Sequence, residues 1–153
     1  NLGWGVIEQD VSRLRHVANG ICHSTGPDLA TRLLSLHEQL TDVVQRLTPD
    51  LAAVEKTFVN KDGAGTLKLG QARAAAICAS FGSAALLYEY AAREVKQAIV
   101  GRGAADKAQV QHMVQILLGM REPLQSDQAD ALGIALCHAH MRTATQRLAE
   151  ATQ

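Results

Sequence analysis

The apolar positions of this chain follow two periods. Gly5-Val-Ile-Glu-Gln9 alternates as a strand, Asp10 marks a turn, and Leu14–His23 reads as its hairpin partner. Gly26-Pro-Asp28 breaks the sheet and starts a helix. From there Leu29, Leu33, Leu36, Leu40, Val43 and Leu47 recur at threes and fours, which predicts a long amphipathic helix ended by Thr48-Pro49. Next come a short buried strand over Leu51–Thr57, a polar loop over Asn60–Gly65 and an alanine-rich helix over Thr66–Phe81. Another strand is predicted over Leu86–Ala91, a short helix or turn over Arg93–Val100, and a loop at Gly101-Arg-Gly103. Lys107–Leu118 predicts a helix with Val110, Met113, Val114, Leu117 and Leu118 on one stripe. A linker containing Pro123 leads to a final helix from Asp127 to about Glu150, buried at first and polar at its end. Strands interleaved with helices point to one α/β domain over 1–153, with a single sheet covered on both faces.

Composition narrows the class. The length suits one domain with a real core, and no apolar run reaches the roughly 20 residues of a membrane span. No signal peptide is visible, because the first residues already alternate like strands and carry charge. The chain begins at Asn1 rather than Met, which suggests a cut or processed N-terminus. Cys22, Cys78 and Cys137 are scattered and odd in number, which suits a reducing cytoplasm better than a disulfide framework.

A net charge of zero by itself disfavours nonspecific nucleic-acid binding. Its distribution changes that view. Residues 56–107 hold eight Lys/Arg against four acids, so the middle is +4 and the flanks together −4. Either this is accidental clustering on a solvated surface, or it is a basic face.

The candidate chemistry lies in separated carboxylates that bracket this stretch. Glu55 closes the apolar run Leu51-Ala-Ala-Val54, at the strand end where open α/β sheets bind ligands. It is either paired or metal-bound there, or an edge glutamate facing water. Asp127 and Asp130 share one helix face, about 60° apart. Capping and dipole complementarity compete for both, less so for Asp130, whose apolar neighbours Ala129, Ala131, Leu132 and Ile134 suggest burial. Lys107 lies on the apolar stripe of its own helix, at the N-terminal end, and either snorkels or points at something negative. Phe58 is either core or an exposed aromatic able to stack on bases. Acids gathered from distant elements beside positive charge suggest a divalent-metal site and phosphate chemistry. Cys137-His-Ala-His140 is a poor zinc site, because histidines two apart on a helix diverge. His138 reads instead as a satisfied, partly buried histidine. Gly101-Arg-Gly103 resembles a phosphate-cradling loop only faintly.

Six ordered blocks carry a resemblance over nearly the whole chain. They are Gly3-Trp-Gly-Val-Ile7, Val54-Glu-Lys-Thr-Phe58, Leu67-Lys-Leu-Gly-Gln-Ala-Arg73, Glu89-Tyr-Ala-Ala-Arg-Glu-Val-Lys-Gln97, Asp106-Lys-Ala-Gln-Val-Gln-His-Met-Val114 and Ala129-Asp-Ala-Leu132. Together they resemble the RuvC family of bacterial Holliday-junction resolvases. The resemblance implies an RNase H-like fold, with a central mixed β-sheet flanked by helices on both faces. It implies a cytoplasmic homodimer that makes paired nicks in four-way junction DNA with Mg²⁺ or Mn²⁺, alongside branch-migration motor proteins and away from membranes. Glu55, Asp127 and Asp130 match its metal-binding catalytic carboxylates, and Lys107 a catalytic lysine. Lys96 and Lys107 match lysines that contact phosphate, and Phe58 matches the aromatic beside the junction centre. Lys61 and Arg73, in the same basic stretch, are expected to hold DNA backbones. The alanine-rich helix 66–81 matches the element that packs across the dimer.

One departure matters. The family's first catalytic aspartate lies in an Asp-Pro-Gly turn just before the Gly-Trp-Gly segment, a few residues upstream of Asn1. Asn1 lies on the wrong side of that turn to replace it. The chain as given is therefore expected to bind metal weakly and cleave poorly. A non-cleaving junction-binding scaffold is the alternative reading.

Overall fold

The computed structural model describes residues 1–11, 13–56, 62–81 and 86–151. Strand β1 (Leu2–Asp10) pairs antiparallel with β2 (Arg13–Cys22). The register shifts between Val6 and Ile7, so that Val17 is the extra residue of a bulge. Helix α1 (Leu29–Leu47) leads to β3 (Leu51–Glu55), then α2 (Gly63–Ser80), β4 (Leu86–Tyr90), α3 (Ala92–Val100), α4 (Lys107–Leu117) and α5 (Ser126–Ala151). Strands β3 and β4 are parallel, joined through α2.

Side-chain caps fix most helix starts. The Asp28 carboxylate accepts from Thr31 N–H at 2.8 Å, and Asp106 from Gln109 N–H at 2.8 Å. At α4 the Gln109 side chain accepts back from Asp106 N–H at 3.2 Å, completing a capping box. Helix α2 begins three residues earlier than the sequence predicts, because Asp62 accepts from Gly65 N–H at 3.0 Å and draws Gly63–Gly65 into the first turn. The segment Ala92–Val100 is a full helix, ended by Gly101 in the left-handed conformation at φ 78°. Gly101-Arg-Gly103 is thus a helix stop rather than a phosphate cradle, and Gly103 packs on the Arg93 side chain.

Alternation along β1 distributes its faces. Leu2 and Trp4 join Cys22 and the buried face of α1 and α2, around Leu36, Leu40, Val43, Val44, Ala76 and Ala79. The opposite face lies along α5. A Cβ on Gly3 would stand 2.0 Å from the Asp127 carbonyl oxygen, and one on Gly5 would stand 2.6 Å from Leu132. Ile7 packs on the second core, of α3, α4 and α5, centred on Val114, Leu132 and Leu136. Gln9 donates to Thr143 Oγ1 at 2.8 Å. Glycine at positions 3 and 5 therefore lets the start of α5 approach the strand backbone.

Strand β1 is packed on both faces, but β4 is largely exposed and the single sheet is not formed. Among the described residues the strands make two two-stranded sheets, β1-β2 and β3-β4. No ladder joins β1 to β3. Helix α5 packs on strands of both sheets, and side-chain packing holds them together where backbone hydrogen bonds do not. Strand β3 is also only half-buried rather than fully buried. No helix among the described residues is long and apolar enough to cross a membrane.

Candidate active site

The parallel register sets Glu55 beside Tyr90 and Val54 beside Glu89 at the carboxyl ends of β3 and β4. Partners in such a ladder point to the same side. Tyr90 and Tyr88 face α5: the Tyr90 hydroxyl hydrogen-bonds His138 Nδ1 at 2.8 Å, and the Tyr88 ring lies 4.2 Å from the His138 ring. Glu55, on that side, lies within electrostatic reach of Asp130, two helical turns before His138 on α5. Glu89, on the other side, meets Arg73 of α2.

Four of the sequence-predicted residues share one electrostatic neighbourhood. The Glu55 side chain is exposed, yet partial desolvation raises its carboxyl pKa, and the Asp130 charge raises it further. Lys107 and Lys96 pull it the other way. Lys107 Nζ stands 3.6 Å from Asp130 Oδ2. This lysine occupies the first position of α4, where the helix dipole disfavours a cation, and Asp130 is the anion that offsets it. Asp130 corrects the sequence reading: its side chain is 48% exposed rather than buried. Ala129 and Leu132 point to buried faces of the helix, whereas Ile134, one turn on from Asp130, is itself only half-buried.

The remaining candidates are placed differently. Asp127 lies in the first turn of α5 with its backbone against Gly3. Its carboxylate has no ion pair or hydrogen bond among the described residues. Arg73 is engaged within the fold: its Nε donates to the Glu55 carbonyl oxygen at 3.0 Å, and its Nη2 pairs with Glu89 Oε2 at 2.7 Å. Phe58 and Lys61 lie outside the described residues. His138 is only half satisfied, since Nε2 is buried without a partner among the described residues. His140 Nδ1 instead reaches the Ala98 carbonyl at 3.2 Å.

Sequence reasoning missed Glu89 and Glu94. Glu94 accepts from Ala91 N–H at 2.6 Å, capping α3, and lies 3.9 Å from Lys56 Nζ. The available signal was two acids set singly within a basic stretch.

Among the described residues, no three acidic, histidine or cysteine side chains already converge as a metal site. Glu55 and Asp130 nonetheless form a hard-oxygen pair of like charge at a strand end, with lysines alongside. That donor set fits a divalent cation, which would offset the two like charges.

The family profile for crossover junction endodeoxyribonuclease RuvC matches residues 1–138. The RuvC of Ruegeria pomeroyi is 57% identical over 143 residues, covering 94% of this chain and 87% of that protein. The RuvC of Cereibacter sphaeroides is 55% identical over 148 residues, covering 97% and 88%. Among solved structures, Thermus thermophilus RuvC in complex with a Holliday junction substrate superposes with a TM-score of 0.84 at 31% identity, covering 94% of this chain and 88% of that one. The same organism's RuvC structure gives 0.81. The split pair of sheets and five helices are thus a version of the RNase H-like fold, and the chain belongs to the RuvC family of crossover junction endodeoxyribonucleases.

Proposed function

We propose that this protein resolves four-way DNA junctions by metal-dependent nicking, with Glu55, Asp127 and Asp130 as the carboxylates of its active centre. The observation that carries this is the convergence of Glu55, Asp130, Lys107 and Lys96 from β3, α5, α4 and α3 at one sheet end. Glu55 and Asp130, with Asp127 one turn earlier on α5, would hold Mg²⁺ or Mn²⁺. The family pattern adds an aspartate from an Asp-Pro-Gly turn ahead of Gly3-Trp-Gly. A bound divalent ion supplies an activated water nucleophile and neutralises charge on the phosphodiester.

The residues of the chain divide the other tasks. Lys107 offsets the Asp130 charge and places a cation where negative charge develops on the phosphate. Lys96 adds positive charge on the same side. With Lys61 and Phe58 they form the DNA-binding set, so affinity is expected to fall with salt. Two symmetry-related centres in a homodimer would account for paired nicks. Exposed Leu67, Leu69 and Phe81, on or beside α2, support that helix as the dimer contact. The same reading makes the protein a cytoplasmic partner of branch-migration motors.

The test is substrate choice. The full-length protein with Mg²⁺ should nick a synthetic four-way junction symmetrically, and linear duplex or flap DNA far less. Equal cutting of all three would overturn the junction assignment. Tight junction binding without cutting would favour the scaffold reading.

A further inference from the structure

Arg73 sits in the basic stretch, where sequence assigns it to DNA. Its geometry gives it another task. It projects from α2, the helix that crosses between β3 and β4, and its guanidinium reaches both strands at once. Nε donates to the Glu55 carbonyl at 3.0 Å, while Nη2 pairs with Glu89 of β4 at 2.7 Å. Its side chain is only 25% exposed. The fork shape of arginine makes this double attachment possible, because its donors point in fixed, coplanar directions. Beyond Glu55 the ladder makes one more bond, Lys56 N–H to the Tyr90 carbonyl at 2.8 Å. The backbone of Glu55 is thus held by the ladder on one side and by Arg73 on the other. The charge of Arg73 is matched within the fold by Glu89.

We infer that Arg73 is a positioning residue, clamping the backbone of Glu55 through a Glu89–Arg73 bridge, rather than a contact to DNA phosphate. This rests on reading Glu55 as catalytic. Its functional weight comes from geometry: displacing a catalytic group by about 1 Å costs on the order of 10²-fold in rate.

The experiment uses the full-length protein, a synthetic four-way junction and Mg²⁺, with four single variants, Glu55→Gln, Arg73→Ala, Arg73→Lys and Glu89→Gln, and the Arg73→Ala/Glu89→Gln double variant. Glu55→Gln tests the underlying reading and should abolish cutting; wild-type cutting by it overturns that reading, and the inference with it. With Glu55→Gln inactive, Arg73→Ala should cut roughly 10–100-fold more slowly at saturating protein. Its junction affinity and the salt dependence of that affinity should match wild type. Lysine restores charge without the fork, so Arg73→Lys should stay slow, whereas a phosphate contact would be largely rescued. Glu89→Gln should slow cutting on its own and add nothing to Arg73→Ala. It also keeps the question answerable if Arg73→Ala fails to fold. Wild-type cutting by Arg73→Ala at saturation, with weaker binding and a salt slope reduced by about one, overturns the inference and returns Arg73 to the DNA-binding face.

Discussion

Lys107 Nζ lies 3.6 Å from Asp130 Oδ2, joining the first residue of α4 to the second turn of α5. Both side chains are largely exposed, so the pair adds little to stability. Its consequence is electrostatic, since Lys107 also acts on Glu55 from a third element. Lys107→Ala should therefore leave the melting temperature nearly unchanged and slow junction cutting by roughly 10²-fold. Lys107→Arg should restore most of the rate. Single-turnover cleavage together with calorimetry checks both expectations.

Gly3 predicts a packing effect with a functional consequence. A Cβ there would stand 2.0 Å from the Asp127 carbonyl oxygen, and neither backbone can yield without moving the other. Gly3→Ala should destabilise the fold toward the upper end of about 1–3 kcal/mol. It should also shift the start of α5, which carries Asp127. The urea midpoint measures the first effect, and cleavage under conditions where the variant is fully folded measures the second.

His138 predicts a pH dependence of stability. Burial lowers its pKa below 6.5, and Arg142 lowers it further. Because the folded value lies below the unfolded one, the unfolded chain takes up the proton first as pH falls. The contribution of His138 is therefore complete above the unfolded pKa and is lost as pH falls through the folded pKa. Protonation would also put charge on a ring whose Nε2 is buried without a partner among the described residues. His138→Phe should flatten the acid side of the stability profile relative to wild type. Thermal melts at intervals below pH 7 would show it.

Val11 predicts a gain. It follows β1 with φ 48°, a left-handed conformation that a β-branched residue adopts only under strain, and it is 89% exposed. Val11→Asn should raise stability by about 1 kcal/mol, since asparagine tolerates that region. Denaturant unfolding reads this directly.

What the sequence made legible follows from local physics. Helix α1 was readable to the residue because its apolar spacing, its Asp28 cap and Thr48-Pro49 all agree. Helix α2 was not, because Gly63 and Gly65 look like loop until Asp62 is seen to cap them. In the site, Lys107 was readable because a cation at a helix N-terminus demands an anion. Asp130 was misjudged as buried because Ala129 and Leu132 lie on buried faces, while Asp130 shares a half-buried face with Ile134. The task of Arg73 was invisible: one of its partners is a backbone carbonyl 18 residues away, which only the β3-α2-β4 crossover brings near. The split between the two sheets was equally hidden, because a strand's sequence does not say which of its edges is paired.

The most direct test of the central claim is Mg²⁺-dependent cleavage of a four-way junction by wild type, Glu55→Gln and Asp130→Asn, with junction binding measured alongside. The expected result is symmetric nicking by wild type, loss of cutting in both variants, and junction affinity retained in both. Undiminished nicking by either variant would contradict an active centre built on Glu55 and Asp130.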